Sequence, residues 1–291
     1  MEDKIKIAVV NFQTVWGDKT ANLKQIENYC HQAGQQQADL IVFPETALTG
    51  YTNQANVTLE NKMHYLNAET IPGPSTLKLS QLAKQYKMYI VVGMPEKVSD
   101  HLYNSAAIIE PSGKISSYRK IHLPFDESEW AIPGNEPVLL DTKWGPIGIT
   151  ICYDTYCFPE LLRYYRAKGA RLSLNVTACP DADCTFGSAK LAISAYAFVN
   201  YMFIASANLC GDEKGNHFVG GSGVVGPVPG NVKAYVGYMF GDENSDKPGL
   251  FIGEVDLSLA DKYGEIPIFK KDEHGHRDWR NDLYAKLYLE T

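Results

Sequence analysis

Residues Gly145 to Asp154 read Gly-Pro-Ile-Gly-Ile-Thr-Ile-Cys-Tyr-Asp, a β-branched run that ends on Cys152. A helix signal, Phe158-Pro159-Glu160, follows within a few residues. A cysteine at a strand-to-helix corner holds its sulfur near a helix N-terminus, which lowers a thiol's pKa and favours the nucleophilic thiolate. Such a thiol needs a base, and histidine is the usual one. The histidines are His31, His64, His101, His122, His217, His274 and His276, and none has a recognisable catalytic context. His122 lies two residues after Lys120, where a structural, hydrogen-bonding histidine is the preferred reading.

Carboxylates offer a better base. Glu45, in Phe43-Pro44-Glu45-Thr46, ends a strand-like run. Proline favours extended chain before it. The strand end puts Glu45 at the rim of a sheet, where partial burial raises a carboxyl pKa toward neutrality. Lys120 closes another strand-like run and precedes Ile121-His122-Leu123-Pro124. There it could bring fixed positive charge to a developing oxyanion. Each alone has a blander reading, Glu45 as a surface glutamate and Lys120 as a lysine at a sheet edge.

The elements that must position these groups alternate along the chain. Strands are expected at Ile5–Asn11, Asp39–Phe43, Tyr89–Gly93, Tyr103–Ile109, Lys114–Lys120 and Ile147–Ile151, with Pro111-Ser112-Gly113 as a hairpin turn. Further strands are expected at Arg171–Val176, Tyr201–Ala207, Gly223–Val225, Lys233–Val236 and Leu250–Val255. Helical spacing covers Asn22–Gln35, a stretch up to about Tyr86 capped by Ser75, Pro159 to about Ala167, and Ala189–Asn200. Strands and helices so mixed imply a sheet-rich core covered by helices. The 291 residues permit one large domain or two ordinary ones. No linker divides them, so one domain is expected over residues 1–267. Residues 268–291, charged and aromatic, read as an extended arm that packs on its own subunit or on a partner.

Composition narrows the function. A net charge of -7 without a basic cluster argues against nucleic acid or an anionic membrane as partner. No apolar run approaches the ~18 residues of a membrane span, and no signal peptide is read. The six scattered cysteines suit reduced thiols in a cytoplasm. Cys157 reads as a small buried hydrophobe. Cys179 and Cys184 have no second pair for zinc, and no metal site is expected. Gly221-Ser222-Gly223-Val224-Val225-Gly226 fits a dinucleotide fingerprint, but Pro227 and Pro229 disfavour the helix it needs, so no cofactor is expected either.

Taken together, Phe43-Pro44-Glu45, then Tyr118-Arg119-Lys120-Ile121-His122-Leu123, then Ile151-Cys152-Tyr153-Asp154 and Phe158-Pro159-Glu160 resemble the nitrilase (carbon–nitrogen hydrolase) superfamily. So do Ala8–Gln13, Leu48-Thr49-Gly50-Tyr51, Tyr103-Asn104-Ser105-Ala106 and Lys168-Gly169-Ala170. The resemblance runs from about residue 4 to about residue 257. It implies an αββα sandwich of two mixed β-sheets flanked by helices. It implies a triad of Glu45, Lys120 and Cys152, assisted by Glu127, with Glu129 the neighbour that could take that role instead. Tyr153 would supply an oxyanion N–H, and Tyr51 and Thr177 would meet substrate or oxyanion. Asp181 and Asp183 read as a solvated acidic loop beside the pocket.

The implied reaction is hydrolysis of a small-molecule amide through a cysteine thioester, metal-free and without a cofactor. N-carbamoyl compounds and nitriles are alternative substrates, a catalytically silent binding subunit an alternative role, and acyl transfer to an amine an alternative outcome. The short connection from Lys120 to Glu127 looks more like amidases than true nitrilases. A homodimer is the implied assembly. One departure stands out: Ala195-Tyr196-Ala197-Phe198-Val199-Asn200 keeps the family's asparagine but has Tyr196 and Val199 where many members carry arginine and glutamate.

Overall fold

A computed structural model describes residues 1–180, 188–229, 236–242, 245–262, 271–275 and 277–290. The first half builds one sheet. Its strands are β1 (Lys4–Asn11), β2 (Leu40–Val42), β3 (Tyr89–Val98), β4 (His101–Ile109) and β5 (Ile115–Arg119). The second half builds another from β6 (Val138–Leu140), β7 (Ile147–Ile151), β8 (Leu172–Thr177) and β9 (Phe203–Asn208). A hairpin, β10 (Cys210–Glu213) and β11 (Asn216–Val219), stands apart before β12 (Gly223–Pro227) and β13 (Val236–Gly241) complete the second sheet. The last strand, β14 (Gly249–Asp256), returns to pair antiparallel with β1.

The two sheets share one pattern. The first runs β14-β1-β2-β3-β4-β5, with β1, β2 and β3 parallel and the outer pairs antiparallel. The second, ordered β6-β7-β8-β9-β12-β13, has β7, β8 and β9 parallel and antiparallel pairs outside them. In open sheets, ligands collect beyond the carboxyl ends of parallel strands. Here the ends of β2, β5, β7 and β8 precede Glu45, Lys120, Cys152 and Ala178.

Three cores make four layers. Alternate residues of a strand face opposite sides. Ile5, Ile7 and Val9 of β1 therefore pack with Ile149, Ile151, Leu172 and Leu174 between the sheets. Ala8 and Val10 pack outward against Leu23, Ile26 and Leu79 of the helices α1 (Lys19–Gln35) and α3 (Pro74–Tyr86), which flank the short α2 (Met63–Asn67) in sequence. On the far side, Ile204 and Val225 pack against Leu162 and Tyr165 of α5 (Pro159–Ala167), which follows α4 (Tyr153–Cys157), and against Ile193 and Ala197 of α6 (Ser188–Asn200). The αββα sandwich is thus the observed architecture. Among the described residues two short α-helices remain, α7 (Ser258–Lys262) and α8 (Asn281–Tyr288).

Some expectations change. Helix α1 starts earlier than its apolar periodicity, because Asp18 caps it by accepting from Ala21 N at 2.9 Å. Helix α3 is capped at Gly73, with Pro74 opening it; Ser75 instead binds Glu69 through its N–H (2.8 Å) and hydroxyl (2.9 Å). The tail is helical rather than extended over Asn281–Tyr288, where Leu283, Tyr284, Leu287 and Tyr288 recur at helical spacing. Cys157 is exposed at the end of α4, just before Pro159 opens the next helix. Cys179 is disulfide-bonded, so the expectation of thiols throughout fails there. Gly223 to Pro227 is strand, as the prolines required of the glycine-rich motif. Asp181, Asp183 and Cys184, and the start of the Lys233–Val236 segment, lie outside the described residues.

Candidate active site

Each side chain of the site owes its place to a local feature of the chain. Phe43 N donates to Val91 O (2.8 Å), which extends the parallel ladder to the brink of Glu45. Segment 44–46 then crosses Gly93, where any Cβ would lie 2.4 Å from Pro44 O and 2.5 Å from Glu45 Cα. Lys120 N donates to Asn104 O (2.8 Å), which carries the β4–β5 pairing one residue on. Glu127 lies in a 3₁₀ turn, Phe125–Glu129, that folds back over this strand end. Cys152 has φ 47° and ψ -101°, a conformation sparsely populated by side-chain-bearing residues and found where a site over-determines it. Cys152 N donates to Val176 O (3.0 Å), and Tyr156 N donates to Cys152 O (3.1 Å), which pins the corner between sheet and helix.

These segments bring a buried charge cluster together. Lys120 Nζ lies 2.7 Å from Glu45 Oε1 and 2.7 Å from Glu127 Oε2, and all three side chains are buried. Asn104 Nδ2 donates to Glu45 Oε1 (2.7 Å) and to Glu127 Oε1 (2.8 Å), linking the two carboxylates a second time. Ala178 N donates to Glu45 Oε2 at 2.9 Å. Glu129 is turned outward to Lys62 (2.9 Å), so of the two acidic candidates Glu127 is the one in the cluster.

Two carboxylates and one ammonium cannot all be charged without net charge in a dry site. Burial raises the Glu127 carboxyl, Lys120 opposes it and Glu45 adds to it; the outcome is a value of about 7. Burial alone would pull Lys120 down, but Glu127 and Glu45 outweigh it and hold the ammonium well above its ordinary value. The thiol runs against the sequence expectation. Burial, reinforced by Glu45 and countered by Lys120, pushes Cys152 far above the usual cysteine range. Helix α4 has only five residues, and its dipole does not offset the desolvation of a sulfur at an 8% exposed residue. At rest Cys152 is a thiol, and its chemistry needs a base.

A cavity of about 280 Å³ opens over the sulfur, walled by Tyr51, Pro124, Phe125, Tyr153, Tyr156 and Ala189. Tyr51 and Tyr153 line this cavity. Thr177 does not: it is fully buried behind the sulfur, hydrogen-bonding the Cys152 thiol and accepting from Tyr156 Oη at 3.0 Å. His122 makes the kind of hydrogen bond a structural histidine makes. Its Nδ1 lies 2.8 Å from Asp154 Oδ1 and its ring stacks on Phe158.

Three contributors escaped the sequence reading. Asn104 sits inside a segment already singled out, and a buried amide within an apolar strand was its signal. Asp154 accepts from four donors. Glu213, buried on the β10–β11 hairpin, accepts from Tyr51 N (2.9 Å) and Thr52 N (2.7 Å) and so holds the Tyr51 loop. Among the described residues no three His, Cys, Asp or Glu side chains are grouped to hold a metal ion.

Comparison with known proteins now decides the family: residues 6–263 match carbon-nitrogen hydrolase. The chain belongs to that family. It is 33% identical over 258 residues to a nitrilase of Pyrococcus abyssi, covering 88% of this chain and 91% of the relative. It is 31% identical over 293 residues to an omega-amidase of Bos taurus, covering 96% of each. An amidase structure from Nesterenkonia sp. AN1 superposes with a TM-score of 0.75 at 26% identity, over 97% of this chain and 99% of that one. Another amidase structure from that source, at 24% identity, shares the fold with a TM-score of 0.75 over 98% of this chain and 97% of that chain; it carries an acetamide moiety on its active-site cysteine.

Proposed function

We propose that this carbon–nitrogen hydrolase cleaves small-molecule amides through a thioester on Cys152. Glu45 takes the thiol proton as sulfur attacks the carbonyl carbon. The oxyanion that develops is met by the Lys120 ammonium and the backbone N–H of Tyr153, which heads a helix whose first N–H groups lack intrahelical partners. Glu45 returns the proton to nitrogen, the C–N bond breaks, and ammonia or an amine leaves. Water then attacks the thioester while Glu45 takes its proton. The acid departs and the thiol is restored. Glu127 and Asn104 hold Lys120 and Glu45 in register throughout.

The observation that carries this reading is the Glu45–Lys120–Glu127 cluster, held at 2.7 Å spacings and joined through Glu45 to Ala178 in the wall of the cavity onto which a protonated thiol opens. The small aromatic cavity fits a short acyl group. Nitriles and N-carbamoyl compounds present a similar electrophilic carbon and are the second and third arms of the test. Ammonia release from purified protein, measured across amides, nitriles and ureido acids, is expected to be largest with an amide and to vanish in Cys152→Ala. Turnover retained by that variant would sink the mechanism.

Assembly is part of the proposal. Leu191, Phe198 and Val199 of α6 and Tyr164 of α5 expose large apolar surface, at 71%, 45%, 40% and 38%. A cavity of about 570 Å³ continues this face toward Trp279 and Tyr284 of the tail, and Tyr288 Oη donates to Glu160 Oε1 at 2.9 Å. This face supports a homodimer, with residues 268–291 as an arm at the interface beside the 1–267 domain. No helix among the described residues is long and apolar enough to cross a membrane. Free thiols at Cys30, Cys152, Cys157 and Cys210 favour a reducing cytoplasm, with Cys179 the exception.

A further inference from the structure

The Cys152 corner and the Lys120 strand belong to different sheets, and the reaction depends on their spacing. Asp154 lies two residues after Cys152 and is fully buried. Its Oδ1 accepts from His122 N (2.9 Å) and His122 Nδ1 (2.8 Å); its Oδ2 accepts from Tyr118 Oη (2.7 Å) and Ile151 N (3.3 Å). Tyr118 and His122 bracket Lys120 two residues to either side. Ile151 immediately precedes the nucleophile. One carboxylate therefore ties both flanks of the lysine to both flanks of the cysteine.

The other backbone bonds at the corner, from Cys152 N to Val176 O and from Thr155 N and Tyr156 N to Cys152 O, run to its own sheet and helix. They fix the corner without reference to Lys120. We propose that Asp154 is a positioning residue that sets the distance and bearing of the Cys152 sulfur relative to Lys120, acting through Tyr118, His122 and Ile151. All four of its partners are donors, so a carboxylate is the group that satisfies them. An isosteric amide has one acceptor oxygen and must turn its own N–H₂ toward a donor. His122 gains a second restraint from its ring, stacked on Phe158 at a centroid distance of 3.4 Å, which leaves the clamp little freedom to adjust.

The proposal rests on Cys152 being the nucleophile, and one readout needs no substrate. In Asp154→Asn, kcat with the best amide should fall at least about tenfold with KM within about twofold, since a misplacement of an ångström can cost ~10²-fold. The rate at which chloroacetamide alkylates Cys152, followed peptide by peptide by mass spectrometry, should fall with it, while alkylation of exposed Cys157 stays unchanged. Tyr118→Phe removes one donor without changing shape. It should give a smaller loss of the same kind, and it decides the matter if the asparagine variant does not fold. Unchanged kcat and Cys152 alkylation in folded variants, or a loss that falls wholly on KM, would overturn the positioning role. Lowered alkylation in a protein that hydrolyses no amide would uphold the clamp and reject the proposed substrate class instead.

Discussion

Lys120 carries one positive charge between Glu45 and Glu127, 2.7 Å from an oxygen of each. At Glu127, burial outweighs that charge and leaves a stored proton. Glu127, raised from 4.5 to about 7, binds its proton more tightly folded than unfolded. Its contribution to stability is therefore fully present below about 4.5 and is lost as pH rises through about 7. Urea unfolding of wild type and Glu127→Gln at several pH values should show wild type losing stability across that window relative to the variant; parallel curves would contradict the assignment. How legible these residues were depended on what each does. Glu45, Lys120 and Cys152 stand in motifs whose order along the chain is itself informative. Asp154 stands in the Cys152 motif and Asn104 in the segment Tyr103-Asn104-Ser105-Ala106, but a single sequence gives a residue's type and not the side chains that converge on it. The thiol was misjudged in sign, because a corner position is visible in sequence and the depth of burial is not.

At the scale of elements, a glycine makes the site. Gly93 of β3 lets the segment after β2 cross at van der Waals distance, and an alanine there would drive its Cβ to 2.5 Å from Glu45 Cα and from Thr46 N. Gly93→Ala should shift Glu45, lower kcat at least tenfold by the positioning argument, and cost about 1–3 kcal/mol of stability as overpacking. Wild-type kcat in that variant would show that Glu45 tolerates movement. Element types were largely readable, since β7, β8 and β9 carry an apolar residue at every second position and are buried along their length. Helix Pro159–Ala167 and the Pro111-Ser112-Gly113 turn follow from proline and glycine alone. The β10–β11 hairpin was not readable. Cys210-Gly211-Asp212-Glu213 has no apolar alternation, and its strand is held by pairing with β11 and by Glu213, which the Tyr51 loop covers.

At the scale of the molecule, two six-stranded sheets of one pattern meet face to face, and the proposed catalytic groups follow strand ends of both. The fold class was legible because helices and strands alternate. Which sheet each strand joins was not, since pairing is set by contacts far apart in sequence. The exposed apolar face of α5 and α6 is the surface on which the proposed homodimer would pair. Sedimentation should give twice the chain mass, and Leu191→Glu with Phe198→Glu should return it to one; a wild-type monomer at micromolar concentration would count against the dimer. The covalent step is the centre of the proposed mechanism. Wild-type protein quenched in acid during turnover of an amide should gain the mass of the acyl group on the peptide that carries Cys152, and hydroxylamine should remove it. Continued turnover with no adduct there, or with the adduct on another residue, would contradict a thioester mechanism at Cys152.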